Sequence, residues 1–137
     1  MKNYKQIPHT ADIAALIRGS SLPKLFENSA YAMFDLLADL KGLVCTSTQR
    51  IEVKAPDAES LLIAWLNEVL YAAYETHVLF YEFKVVSLYN NKLIVDVKGQ
   101  KIEEDDRMKL EIKAATHHDI EIKKTIMGYE VAVVFDV

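Results

Sequence analysis

Two aspartates near opposite ends of the chain have the setting that most suggests chemistry: Asp12 in His9-Thr10-Ala11-Asp12-Ile13, and Asp136 in Val133-Val134-Phe135-Asp136-Val137. Each sits in an otherwise apolar stretch with strand-like alternation, where an isolated buried charge is costly unless a cation or strong donors compensate it. On the last strand Val131, Val133 and Phe135 share one face, and Ala132, Val134 and Asp136 share the other. On the first, Asp12 shares a face with Ala14 and Leu16. The α-carboxylate of Val137 adds a third anionic group beside Asp136. If the first and last strands lie side by side, three hard oxygen donors converge and repel one another unless a cation is bound. Ca²⁺ or Mg²⁺ suits all-oxygen ligation, and Mn²⁺ or Zn²⁺ fits if a histidine joins them. The same spacing admits a blander arrangement, in which Asp136 frays into water and Asp12 caps a strand end.

Other reactive constellations are mostly missing. The chain has no nucleophile elbow, no Gly-rich phosphate cradle, no zinc-spaced cysteine set and no helical His-Glu-x-x-His. His117 and His118 are adjacent, so on a strand they point to opposite faces and cannot share one ion without a bend, though one of them can still face a site. Glu103 to Asp106 lacks the alternating ligands and central glycine of a calcium loop. The lone cysteine, Cys45, has no intramolecular partner and is expected as a small buried hydrophobe rather than a nucleophile.

The composition sets bounds on the chain that carries these residues. At 137 residues, 51% hydrophobic and 26% charged, with four glycines and three prolines, it reads as one ordinary globular domain, residues 1–137. A net charge of -4 argues against wrapping nucleic acid, so no DNA partner is expected. The N-terminal run has no apolar h-region and no uninterrupted apolar run is long enough to span a bilayer, so neither a signal peptide nor a membrane partner is expected. A single unpaired cysteine fits the reducing cytoplasm.

Alternation predicts a strand over Ile7 to Ile17, buried on much of both faces. Gly19-Ser20-Ser21 supplies a turn and N-cap, Pro23 suits the first helical turn, and a helix runs to about Asp39 with Gly42 as its stop. Its stripe is Leu22, Leu25, Phe26, Ala30, Met33, Phe34 and Leu37. A strand centred on Ile51-Glu52-Val53 precedes a second cap around Asp57. The helix that follows buries Leu61, Leu62, Trp65, Leu66, Val69, Leu70 and Ala73. Leu79 to Tyr89 and Leu93 to Val97 form a hairpin about Asn90-Asn91. Gly99 to Arg107 reads as a solvated loop, followed by strands at Leu110 to Ala115, Ile120 to Ile126 and Tyr129 to Val137. This order implies an α+β fold, a two-layer sandwich of mostly antiparallel sheet and two main helices.

The chain resembles the archease family along essentially its whole length. The resemblance rests on His9-Thr10-Ala11-Asp12-Ile13, on Ser21-Leu22-Pro23-Lys24-Leu25-Phe26-Glu27-Asn28 through Ala32-Met33-Phe34, and on the helix run Leu61 to Tyr71. It continues through Lys113-Ala114-Ala115-Thr116-His117-His118 and the Phe135-Asp136-Val137 ending. Two places depart from the family pattern: His117 stands where an aromatic is usual, and Gln100 where a glutamate is common.

The resemblance implies an accessory protein of RNA splicing and repair. Archeases activate the tRNA-splicing RNA ligase, promoting attachment of GMP to the ligase's active-site histidine and multiple turnover, and touch RNA only indirectly. The implied fold is one strand-helix-strand-strand module inserted into another. The implied metal-binding residues are Asp12, Asp136 and Val137, with Ca²⁺ the expected ion; Lys113 corresponds to a functionally required lysine, and His118 and His9 fall in the family's motifs. Two other classes stay in view. One is a metal-dependent hydrolase of a small phosphorylated substrate with His118 as base, and the other is an RNA-binding module using Lys98, Lys101, Lys109, Lys123 and Lys124.

Overall fold

The computed structural model describes residues 3–7 and 12–137. Its elements are β1 (Tyr4–Ile7), β2 (Ile13–Gly19), α1 (Leu22–Leu37), β3 (Ser47–Lys54), α2 (Ala58–Thr76), β4 (Val78–Tyr89) and β5 (Lys92–Lys101). A 3-10 turn at Asp105–Arg107 precedes β6 (Ala114–Thr116), β7 (Lys123–Thr125) and β8 (Gly128–Asp136). Five strands make one antiparallel sheet in the order β1-β2-β8-β6, with β7 also on β8, and three make a second in the order β3-β5-β4.

The second sheet and its helix form one contiguous segment, β3-α2-β4-β5, between α1 and the strands that complete the first sheet. This is the α+β arrangement of one strand-helix-strand-strand unit set inside another. The helices join the sheets: α1 packs on β2 and β4, and α2 packs on β3 and β6.

Local chemistry explains most boundaries. Ser21 caps α1 by accepting from the Lys24 N–H (3.2 Å), and Asp57 caps α2 by accepting from the Ser60 N–H (2.8 Å). Asn90 and Asn91 adopt positive φ (54° and 59°), the conformation a two-residue hairpin turn requires. The predicted helix faces are buried: Leu25, Phe26, Met33, Phe34 and Leu37 from α1 meet Leu61, Leu62, Trp65, Leu66 and Val69 from α2. Each such side chain contributes about 1.5–3 kcal/mol. Trp65 also donates its indole N–H to the Phe26 carbonyl (3.0 Å), tying the helices by a buried hydrogen bond.

Several expectations are corrected. Of the strand expected over Ile7 to Ile17, Ile7 ends β1 and Ile13 to Ile17 belong to its antiparallel neighbour β2, while residues 8–11 lie outside the described residues. α1 stops at Leu37, before Gly42. The Leu37 carbonyl accepts from the Lys109 and Leu110 amides (2.8 and 3.2 Å), and Ala38 turns extended to bridge Met108. β5 continues through Gly99 to Lys101 instead of entering a loop. A side chain at Gly99 would strike the Leu79 carbonyl, so glycine lets β4 lie close. The strands expected over Leu110 to Ala115 and Ile120 to Ile126 shrink to three residues each, because β6 and β7 share one edge of β8. Cys45 is exposed, on the loop before β3. No helix among the described residues is long and apolar enough to cross a membrane.

Candidate metal centre

The two aspartates meet at one end of the five-stranded sheet. β2 and β8 pair from Gly19 opposite Tyr129 to Ile13 opposite Phe135; Asp12 precedes Ile13 and Asp136 follows Phe135, so both aspartates adjoin the last pair of the ladder. On the other side of β8, Ala114 pairs with Asp136, and the Lys113 N–H donates to the Asp136 carbonyl (2.7 Å). Asp12, Asp136, Val137 and Lys113 therefore come together from three neighbouring strands, two of them separated by more than a hundred residues of sequence.

Asp136 is exposed and Asp12 is half-buried. Water therefore reaches the outer carboxylate, and like charges brought close at the end of a sheet repel. Val137 packs against the core, which anchors the end of β8 rather than leaving it frayed.

Lys113 is exposed, and the backbone around it is held from α2. The Asn67 amide bonds both backbone groups of Ala115, and the Tyr74 hydroxyl bonds both backbone groups of Ile112. Burial pushes the Tyr74 phenol above its ordinary range, which keeps its proton in place as a donor. Sequence reasoning missed these two residues. Their signal was their spacing of seven, which puts two polar groups on one face of a helix otherwise read for its apolar stripe.

His118 lies two residues beyond β6, in a turn, with its Nε2 3.2 Å from Asp119 Oδ2. His117 is exposed as well. His9 lies outside the described residues. Among the described residues no three His, Cys, Asp or Glu side chains gather as a metal cluster. Asp12 and Asp136 offer hard carboxylate oxygens, a chemistry that would fit Ca²⁺ or Mg²⁺ better than a nitrogen-preferring ion.

Beside Ile13 an open groove of about 560 Å³ is lined by Tyr4, Gln6, Asp35, Leu36, Lys109 and Leu110. The Tyr4 hydroxyl donates to the Asp35 carboxylate, fastening the edge strand β1 to α1. Burial and this carboxylate hold the Tyr4 phenol well above its usual range.

Comparison with known proteins gives a consistent answer. The model of the Archease protein family matches residues 4–137. Protein archease of Methanosarcina barkeri is 36% identical, with 99% of this chain and 97% of the relative covered. The solution structure of protein 1598 of Methanobacterium thermoautotrophicum is similar with a TM-score of 0.88 at 31% identity, covering 100% of both chains. A crystal structure from Thermotoga maritima, described as an archease and possible chaperone, has a TM-score of 0.66 at 25% identity and covers 97% of this chain and 96% of its own. The same elements in the same order, matched from end to end, show that this chain belongs to the archease family.

Proposed function

We propose that this protein is a metal-binding accessory factor, without covalent chemistry of its own, that activates the tRNA-splicing RNA ligase in the cytoplasm. The observation that supports the reading is the β2–β8 ladder, whose last pair, Ile13 and Phe135, is adjoined by Asp12 and Asp136. Family membership and the chaperone description of the Thermotoga maritima relative support an accessory role.

In this reading Asp12 and Asp136, with the Val137 carboxylate, hold a divalent cation, Ca²⁺ by preference. When bound, that ion supplies positive charge near a transferring phosphoryl group. The chain's own contribution is positional. Asp136 ends β8 and Asp12 directly precedes β2, its ladder neighbour, and Lys113, directly before β6, is there to meet a phosphate or a carboxylate of the ligase. Contact with RNA is indirect.

The hydrolase alternative needs a general base at the carboxylates, and the sheet register sets His118 at the other end of β6. The RNA-binding alternative relies on lysines scattered over both sheets, of which Lys98 is paired with Glu82 (3.4 Å).

The test is guanylylation of the ligase with wild-type, Asp12→Ala and Asp136→Ala proteins. Each substitution should cut the stimulation by about tenfold or more. Undiminished stimulation by both variants overturns the reading.

A further inference from the structure

Lys113 lies in a segment whose outer edge is closed by side chains rather than by a strand. The Tyr74 hydroxyl accepts from the Ile112 N–H (3.1 Å) and donates to the Ile112 carbonyl (2.6 Å). The Asn67 amide accepts from the Ala115 N–H (2.7 Å) and donates to the Ala115 carbonyl (3.0 Å). Each side chain offers one donor and one acceptor to a single residue, as a neighbouring strand would. A strand of three residues has little register of its own, and an open edge beside it would be a liability.

The spacing of the two contacts is the informative detail. In a regular strand, residues that present their backbone groups to the same edge are two apart. Ile112 and Ala115 are three apart and both face α2. One extra residue is therefore accommodated between them, at Lys113-Ala114, and the Lys113 N–H turns to the opposite edge to reach the Asp136 carbonyl (2.7 Å). Such a step resembles a β-bulge, a device that re-aims a side chain and recurs beside functional sites. Neither contact alone fixes it. Asn67 sets the register on one side, Tyr74 sets it on the other, and the extra residue has to fall between.

We propose that Asn67 and Tyr74 are positioning residues that force the irregular step at Lys113 and so hold this lysine beside the Asp12–Asp136 pair. The inference rests on the ligase-activator reading for its functional consequence, and on the hydrogen bonds alone for its structural one. It assigns a purpose to the helix run Leu61 to Tyr71 beyond its apolar stripe, through Asn67.

The test uses Tyr74→Phe, Asn67→Ala and the milder Asn67→Asp, which keeps an acceptor for the Ala115 N–H. Guanylylation is measured against protein concentration up to saturation, and amide hydrogen exchange is followed on the isolated proteins. Mispositioning of Lys113 lowers the maximal stimulation by about tenfold in Tyr74→Phe and Asn67→Ala, with the half-saturating concentration unchanged. Asn67→Asp recovers part of the loss. The Lys113 amide exchanges about tenfold faster, while Ile17 and Val133 keep their protection. A loss that disappears at saturating protein overturns the proposal, and so does unchanged exchange at Lys113. Global loss of protection in both Tyr74→Phe and Asn67→Asp also overturns it, because the two side chains are then structural only. If the wild-type protein fails to stimulate the ligase, the activator reading falls by itself, and exchange at Lys113 still decides the positioning claim.

Discussion

Asp12 and Asp136 each lie one residue beyond the Ile13–Phe135 pair, the last of the antiparallel ladder between β2 and β8. Facing like charges cost a sheet a few tenths to about 1 kcal/mol, which a bound cation would offset. Asp136→Asn should therefore raise the melting temperature of the chelator-treated protein by about 1–3 °C and remove the further rise that Ca²⁺ gives the wild type. Thermal unfolding with chelator and with Ca²⁺ measures both effects; a variant that still rises with Ca²⁺ locates the ion elsewhere.

The Trp65–Phe26 hydrogen bond makes a second, independent prediction. Trp65 is fully buried, donates to the Phe26 carbonyl and meets the Phe83 ring edge-on at 6.3 Å. Trp65→Phe removes this second hydrogen bond to a carbonyl that also serves the helix, along with ring volume, so it should cost about 1–3 kcal/mol in a urea titration. A cost below about 1 kcal/mol would mean that the helices hold together without this tie.

Two glycines with positive φ should respond very differently to alanine. At Gly128 (φ 137°) a Cβ would strike the Gly19 carbonyl, whereas at Gly42 (φ 77°) it meets open space. Gly42→Ala should cost about 1–2 kcal/mol through backbone strain alone. Gly128→Ala adds a backbone clash at the start of β8 and should cost at least about 3 kcal/mol, or prevent folding. Equal effects in denaturant titrations would show that the clash relaxes freely.

The α2 cap carries a pH signature. The hydrogen bond from the Ser60 N–H holds the Asp57 carboxyl below its ordinary range. Because the folded-state value is lowered, its contribution is present above the unfolded value near 4 and is lost as pH falls through the folded value. Asp57→Asn keeps a capping oxygen but does not titrate. The wild type should lose more of its urea midpoint than Asp57→Asn between pH 6 and pH 3. A larger loss in the variant would reverse the sign and reject this account of the cap.

The contrast between what the sequence revealed and what it hid follows the range of the interactions. Ser21, Asp57 and the Asn90-Asn91 turn act within three residues of themselves, and the helix stripes are periodic, so these features were read directly. The end of α1 was misplaced because the groups that terminate it, the Lys109 and Leu110 amides, arrive from seventy residues away. β6 was read too long because its limits are set by the shared edge of β8, and Asn67 and Tyr74 were missed because the backbone they hold lies 48 and 38 residues further along the chain, which their shared helix face does not reveal. Asp12 and Asp136 stand out in sequence as charges in apolar strands, whereas in the fold Asp136 is exposed and Asp12 only half-buried. Cys45 was expected in the core; being exposed, it should react fully with a thiol reagent in the folded protein without loss of secondary structure by circular dichroism.

The central claim, that Asp12 and Asp136 jointly hold a divalent cation, is tested most directly by calorimetric titration of chelator-stripped protein with Ca²⁺. Wild type, Asp12→Asn, Asp136→Asn and a version extended past Val137 by Gly-Ser should be compared. The account predicts one ion per chain in the wild type and at least about a tenfold weaker affinity in each variant. Isotherms unchanged in both aspartate variants would contradict it.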